Sequence, residues 1–239
     1  MAVFLSKLIR KEEVAEGTMA FYMDKPQDIS YISGQHATFR IISPSENDEE
    51  GDSRTFSFIT IPTDNEIGIA TRMRDTAFKR ILRNAEPGFE IEIKDPRGSL
   101  ILPSDTKRPL VLLAGGIGIT PLISMVREAT FKKSDQKITL FYSNRTIKQT
   151  AFLNELKETV NKNPNFSFVP VMTQEDLANW NGEIGHLTVE TLRKYIPNTN
   201  DTLFYLAGPT GMVTAMTNIL TSAGVDSLFV KSEDYGEYK

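Results

Sequence analysis

The chain has 239 residues, 40% of them hydrophobic and 24% charged, with a net charge of −4. That is enough for one large domain or two modest ones, and it disfavours nonspecific nucleic-acid binding. There is no cysteine, and His36 and His186 are its two histidines; disulfides, thiolate nucleophiles and cysteine-ligated iron–sulfur or zinc sites are excluded, and no metal site is expected.

No apolar run approaches the ~20 residues that span a bilayer. The start of the chain becomes charged too soon for a signal peptide, so a cytoplasmic protein is expected. With no G-x-S-x-G elbow in the sequence, the chemistry is expected to belong to a bound organic cofactor.

Ala2 to about Pro103 reads as β-rich. Met19–Tyr22 and Ala37–Ile42 are short strand-like runs, broken by Pro26 and by Ser33-Gly34. Ser45–Ser53 is a polar, acidic loop, expected to be solvated, with an acidic docking patch as the alternative. Arg54–Thr60 alternates as a strand, with Phe56 and Phe58 on one face and Thr55, Ser57 and Ile59 on the other. Glu66–Arg72 is a further strand, and Asp75–Arg83 a short helix with Phe78, Ile81 and Leu82 on its apolar side. Arg72, Arg74, Lys79, Arg80 and Arg83 crowd this region. They form either a solvated basic face or a phosphate clamp, since guanidinium forks suit phosphate oxygens. Phe89–Lys94 alternates again before the turn D-P-R-G-S. Short strands at this spacing predict a small antiparallel barrel over residues 1–105.

From Pro109 the rhythm becomes strand, helix, strand, helix. Strands are expected at Leu110–Leu113, Ile138–Tyr142, Phe166–Val171, Leu203–Leu206 and Ser227–Val230. Helices are expected at Pro121–Phe131, Thr150–Asn161, Thr188–Tyr195 and Gly211–Ala223. The alternation predicts a parallel sheet covered by helices over residues 106–239. The run P-L-V-L-L-A-G-G-I-G-I-T-P (Pro109–Pro121) organises this half. It reads as a buried strand, a glycine turn and a helix whose cap would be Thr120 with Pro121 first inside. Such a turn is a ready anion site. The spacing G-x-G-x-x-P departs from the G-x-G-x-x-G dinucleotide fingerprint. Ligands of such sheets lie beyond the carboxyl ends of the strands, where A-G-G-I-G-I-T-P, Y-S-N-R-T and A-G-P-T-G-M fall.

Those motifs, in this order, together with R-T-F-S (Arg54–Ser57), Gly34-Gln35 and the terminal E-D-Y-G-E-Y (Glu233–Tyr238), resemble the ferredoxin–NADP reductase superfamily over nearly the whole chain. The resemblance implies a two-domain protein: an antiparallel flavin-binding barrel, then a Rossmann-like parallel sheet that binds NAD(P). It further implies FAD, with FMN as the alternative, reduced by NADPH or NADH. Arg54 would pair with the flavin diphosphate, Thr55 and Phe56 would lie at the flavin, and the Ser57 hydroxyl would sit near flavin N5. Arg72, Arg74, Thr76 and Ala77 would hold the diphosphate, Thr76 and Ala77 replacing the family's usual Gly or Ser. Gly115, Gly116, Gly118 and Thr120 would cradle the nucleotide pyrophosphate and ribose. Gly208, Pro209 and Met212 would line the nicotinamide's approach. Glu233 would stand near the flavin edge as a second catalytic group beside Ser57, and Tyr238 would be a terminal aromatic at the cofactor. Ala207 stands where the family commonly has cysteine, and His186 where it often has arginine.

Past the second strand of the sheet come Ser143, Asn144 and Arg145, with no acid to hold an adenosine ribose. That pattern favours NADPH; Arg145 could equally stack on adenine. The electron acceptor is expected to be separate: a ferredoxin, a flavodoxin, an oxygenase component or a small acceptor. The alternative reading, suggested by Ala207, is a non-catalytic flavin- or nucleotide-binding subunit.

Overall fold

The computed structural model describes residues 2–174, 180 and 182–236. In the first half the strands are β1 (Val3–Ala15), β2 (Thr18–Asp24), β3 (His36–Ile41), β4 (Ser53–Ser57), β5 (Glu66–Arg72) and β6 (Glu90–Arg97), with helix α1 (Ala77–Asn84) between the last two. They form one six-stranded sheet in the order β4-β3-β6-β1-β2-β5. All its pairings are antiparallel. A bridge between Phe58 and Ile69 brings the two edges together, so the sheet curls into a barrel.

Inside the barrel sit Phe21, Met23, Phe39, Phe58, Ile67, Ile69, Ile91 and Ile93. Phe78, Ile81 and Leu82 of α1 close one end of that core. Their spacing on a helix is i, i+3, i+4, which is why so short a helix still buries one full side. β1 is the element hardest to read from sequence. Its 13 residues alternate between exposure and burial, with Val3, Leu5 and Ile9 facing solvent and Ser6 and Leu8 inside. The strand also shifts register between Leu8 and Arg10 and again between Glu13 and Ala15, so no single period of two runs through it.

The second half is β7 (Leu110–Gly115), α2 (Ile119–Phe131), β8 (Ile138–Asn144), α3 (Leu153–Lys162), β9 (Phe166–Met172), β10 (Glu183–Ile184), α4 (Val189–Tyr195), β11 (Leu203–Gly208), α5 (Thr210–Ser222) and β12 (Val230–Asp234). These strands make a parallel sheet in the order β10-β9-β8-β7-β11-β12. The chain leaves β7 in one direction and returns to its other side with β11. The switch point therefore lies between the carboxyl ends of β7 and β11, where doubly wound sheets place their ligands. Every residue of β7 is buried, as an inner parallel strand requires.

Two local expectations are corrected. Ser227–Val230 does not form the last strand. Ser227–Phe229 is a turn of 3-10 helix, because the Asp226 carboxylate accepts the Leu228 N–H at 2.9 Å and leaves Leu228 86% exposed; the strand starts at Val230. Thr120 does not cap α2 either. The helix begins at Ile119 after a 3-10 turn over Gly116–Gly118, and the Thr120 hydroxyl donates to the Ile117 carbonyl at 3.0 Å. Pro121 is then the third helical residue, still in the first turn, where its missing N–H leaves no bond unmade.

The barrel and the sheet share a core. Ala20, Tyr22, Ile59 and Ala70 of the barrel join Leu110, Leu112, Ile119, Leu122 and Ile123 in one apolar cluster. Polar contacts fix the same interface. Arg127 of α2 donates to the Ile59 carbonyl and forms a bidentate pair with Glu155 of α3 at 2.7 Å. The buried Ser124 hydroxyl donates to the Pro121 carbonyl at 2.8 Å and accepts the Gly34 N–H at 2.9 Å. Ser124→Ala leaves that buried N–H unpaired and should lower stability by about 1–3 kcal/mol, read as the shift in urea midpoint at unchanged slope.

Candidate functional site

Two recesses meet at the seam between barrel and sheet. The first, of about 220 Å³, is lined by Arg54, Thr55, Phe56 and Ser57 from β4, by Ala70, Thr71 and Arg72 from β5, and by Arg74, Thr76 and Lys79 around the start of α1. Glu50, Ile117, Thr120 and Tyr235 complete it. The second, of about 210 Å³, lies at the carboxyl ends of the parallel strands. Its walls are Gly115, Gly116, Ser143, Asn144, Arg145, Thr173, His186, Pro209 and Met212, and again Arg72. Arg72 thus stands in the wall between them. A more enclosed apolar cavity of about 360 Å³ continues from the second recess under α5, sharing Ser143, His186 and Met212 and running to Phe141, Val171 and Met216.

The turn between the recesses is glycine for two separate reasons. Gly116 has φ of +52°, a left-handed conformation that costs any larger residue strain. Gly118 has an ordinary φ but no room: a Cβ there would lie 2.1 Å from the Ala207 carbonyl oxygen of β11. The turn is therefore held against the neighbouring strand by backbone contact. Tyr142, fully buried, donates its hydroxyl to the Gly116 carbonyl at 3.0 Å and braces the turn from β8.

Ser57 is buried, and its hydroxyl lies 3.2 Å from the Tyr235 hydroxyl, just past the end of β12. Phe56 is half-buried, 5.8 Å from both Phe39 and Phe78 in tilted ring contacts, with its remaining surface on the first recess. Glu233 is placed differently from Ser57. It does not line either recess; its carboxylate lies 3.1 Å from His36 Nδ1, and His36 is the cross-strand neighbour of Ser57. Tyr238 lies outside the described residues. Gly208 pairs in register with Asp234, and the Asp234 carboxylate accepts the Thr210 hydroxyl at 2.9 Å, fixing the start of α5 beside Pro209 and Met212.

The basic corner of the first recess is held by acids that the sequence suggested were merely solvated. Arg54 Nη1 donates to the carbonyls of Glu50, Gly51 and Ser53 at 2.8, 3.0 and 2.8 Å. Its Nη2 lies 2.9 Å from the Glu50 carboxylate without hydrogen-bond alignment, and its buried Nε makes no hydrogen bond. Asp48 accepts the Ala77 N–H, the first of α1, at 2.6 Å, which with Arg54 holds its carboxyl below the usual range. Arg80 is paired with Glu46 at 2.6 Å. The Lys79 ammonium donates to the Arg72 carbonyl at 2.7 Å, and burial, reinforced by Arg74 and Arg54, pushes it down to about 8.

Thr71, Lys79 and Tyr235 on the first recess, and Asn144, Thr173 and His186 on the second, were not among the site residues expected from sequence. Lys79 was visible as part of the basic cluster and Tyr235 as a terminal aromatic. Nothing in the local sequence marks Thr71 or Thr173, which reach the site only because β5 and β9 end there.

Residues 112–218 match the family model of the oxidoreductase NAD-binding domain. Flavohemoprotein A of Dictyostelium discoideum is 26% identical over 243 residues, covering 95% of this chain; the chain spans 59% of that relative's length. The flavohem-like FAD/NAD binding domain of nitric oxide dioxygenase from Vibrio cholerae O1 biovar El Tor superposes with a TM-score of 0.83 at 19% identity, covering 97% of this chain and 98% of that one. A ferredoxin NADP+ reductase from Neisseria gonorrhoeae with bound FAD and NADP superposes with a TM-score of 0.81 at 19% identity, covering 97% and 98%. The architecture, an antiparallel barrel followed by a parallel sheet, is the fold these two structures share with the chain.

The depressed Lys79 gives the site a pH signature. In the unfolded chain a lysine holds its proton to about 10.4, whereas the folded one releases it near 8. Between those values the unfolded state binds more protons, so stability rises with pH. Relative to Lys79→Met, the wild-type protein should gain about 1–2 kcal/mol between pH 7 and pH 10, the shift being discounted for the part of Lys79 that water screens. Paired urea melts at the two pH values measure it.

Proposed function

We propose that the chain is an NAD(P)H-dependent flavoprotein reductase, with residues 1–105 holding FAD and residues 106–239 holding the nicotinamide nucleotide. One observation carries the reading: the recess of Arg54, Phe56 and Ser57 and the recess over the glycine turn share Arg72 as a common wall. Hydride transfer needs its two reacting atoms about 3–3.5 Å apart, and two ligands in adjoining recesses can meet that demand.

The donor set suits a flavin. Arg54, with a buried Nε that makes no hydrogen bond, and Arg72, Arg74 and Lys79 form a cationic wall for phosphate oxygens. Thr76 and Ala77 add the start of α1. Phe56 supplies a flat apolar surface for the ring system, and the Ser57 hydroxyl, held by Tyr235, a hydrogen bond at its edge. Glu233 acts from behind, through His36, rather than in the recess. Bound flavin would supply the redox chemistry, taking two electrons as hydride and releasing them to an acceptor.

On the nucleotide side, Gly115 and Gly116 line the recess for the pyrophosphate and ribose; Gly118, packed on Ala207, sets the height of the turn, and Thr120 lines the first recess instead. Gly208, Pro209 and Met212 border the nicotinamide. Ser143 and Arg145 favour NADPH, since the 2′-phosphate needs a cation and, among the described residues, no acid lines the recess. The acceptor is a separate species in this reading, a protein such as a ferredoxin or flavodoxin, an oxygenase component, or a small acceptor. The chain has no cysteine to ligate an iron–sulfur cluster of its own. Among the described residues no helix is long and apolar enough to cross a membrane, and we place the reaction in the cytoplasm.

The purified protein reconstituted with FAD should be yellow, and anaerobic NADPH should bleach it. A protein that stays colourless with both FAD and FMN overturns the reading. Arg145→Glu should raise KM for NADPH by about tenfold or more and leave that for NADH within about twofold, as the loss of one charged contact to phosphate implies. Steady-state kinetics with both nucleotides decide it.

A further inference from the structure

The loop 45–52 sets the strongest unexplained feature of the molecule, because it brings carboxylates into the corner where a cation wall faces the first recess. Asp48 is its anchor. One oxygen accepts the Ala77 N–H at 2.6 Å, the other accepts the Glu50 N–H at 3.0 Å, and the Asp48 carbonyl accepts the Gly51 N–H at 3.1 Å. Its carboxylate also lies 3.5 Å from Arg54 Nη2. Glu50 reaches the same guanidinium at 2.9 Å and lines the recess itself. Another early donor of α1, the Lys79 N–H, points to the Thr76 hydroxyl at 3.4 Å.

An anion at a helix N-terminus beside an arginine is what a phosphate group would be. Here the protein provides that anion from its own chain. Of the cations on the recess wall, Arg54 has both of these carboxylates within 3.5 Å, and Glu50 also acts on Lys79. The two acids differ in freedom: the Glu50 side chain is 62% exposed and the Asp48 side chain 27%. Glu50 can swing into solvent; Asp48 is tied at both oxygens and stays.

We propose that Asp48 is a specificity-determining residue of the first recess, an internal anion that competes with the phosphate of a flavin nucleotide for Arg54 and the start of α1, with Glu50 as its displaceable partner. The proposal rests on the flavin reading above and deepens it. The loop lowers the affinity for phosphate-bearing flavins and leaves the contacts to the ring system untouched. It therefore compresses the preference for FAD and FMN over riboflavin.

The test titrates FAD, FMN and riboflavin into the apoprotein and follows flavin fluorescence, for wild type, Asp48→Asn and Glu50→Gln. Asparagine keeps an acceptor for the Ala77 N–H while removing the charge and giving up the acceptor for the Glu50 N–H, and circular dichroism checks that the fold is kept. Glu50→Gln is the second variant, with its side chain mostly in water. Asp48→Asn should tighten FAD and FMN by about tenfold, as removal of one like charge near a phosphate implies, and Glu50→Gln by a smaller factor. Riboflavin should stay within about twofold of wild type. Unchanged or weaker FAD binding in both variants overturns the proposal while the flavin reading stands. So does an equal tightening of riboflavin. Failure of all three proteins to bind any flavin overturns both.

Discussion

The contact between the glycine turn and β11 governs the rest of the site. At Gly118 the backbone of the turn lies so close to the Ala207 carbonyl that a single added carbon would overlap it. That contact fixes the height of the turn at the topological switch point of the parallel sheet. Its influence extends through β11 to the neighbouring strand. Because Ala207 and Gly208 are pinned, their register partners Glu233 and Asp234 on β12 are pinned, and Tyr235 is delivered to the buried Ser57 hydroxyl. The parallel sheet thus reaches back across the seam and touches the barrel at the residue expected to face the flavin ring. The shared apolar cluster and the Ser124–Gly34 bond hold the other end of the same seam.

The electrostatics depend on where the chain puts its charges. The recess wall carries Arg54, Arg72, Arg74 and Lys79 within one corner, and Lys79 is pushed down to about 8, by burial first and by Arg74 and Arg54 after it. A protein of net charge −4 has acids to spare, and it places three of them here: Glu46 on Arg80, Asp48 and Glu50 on Arg54. The corner is consequently less positive than its four cations alone suggest. On the proposed flavin reading, a phosphate entering this corner would exchange one anion for another rather than fill bare positive charge.

Much of this was readable from the chain. The apolar run Leu110–Leu113 ending in glycines can hardly be anything but an inner parallel strand entering a tight turn. The i, i+3, i+4 spacing of Phe78, Ile81 and Leu82 specifies which side of α1 faces the barrel. Other features were not readable because their causes are not local. β1 lacks a clean alternation because its two register shifts reset the period. Thr120 followed by Pro121 carries every mark of a helix start, yet a 3-10 turn permitted by Gly116 lets the helix begin one residue before Thr120. Asp226 turns the stretch after it, expected from the strand–helix rhythm to be a strand, into a 3-10 helix. The acidic loop reads as solvated because nothing in its own sequence reveals that α1, some thirty residues on, presents its first N–H to Asp48. His36 and Glu233, almost two hundred residues apart, meet only through the pairing of β3 in one sheet and β12 in the other.

The central claim is that the two recesses bring a flavin and a nicotinamide into direct reaction. Single-turnover anaerobic reduction of the flavin-loaded protein, using NADPH deuterated at one or the other face of C4, tests it most directly. A primary isotope effect with one label, and the unlabelled rate with the other, is the predicted result, because adjoining fixed recesses present one face only. Flavin reduction at the unlabelled rate with both labels, or an equal effect with each, would contradict it.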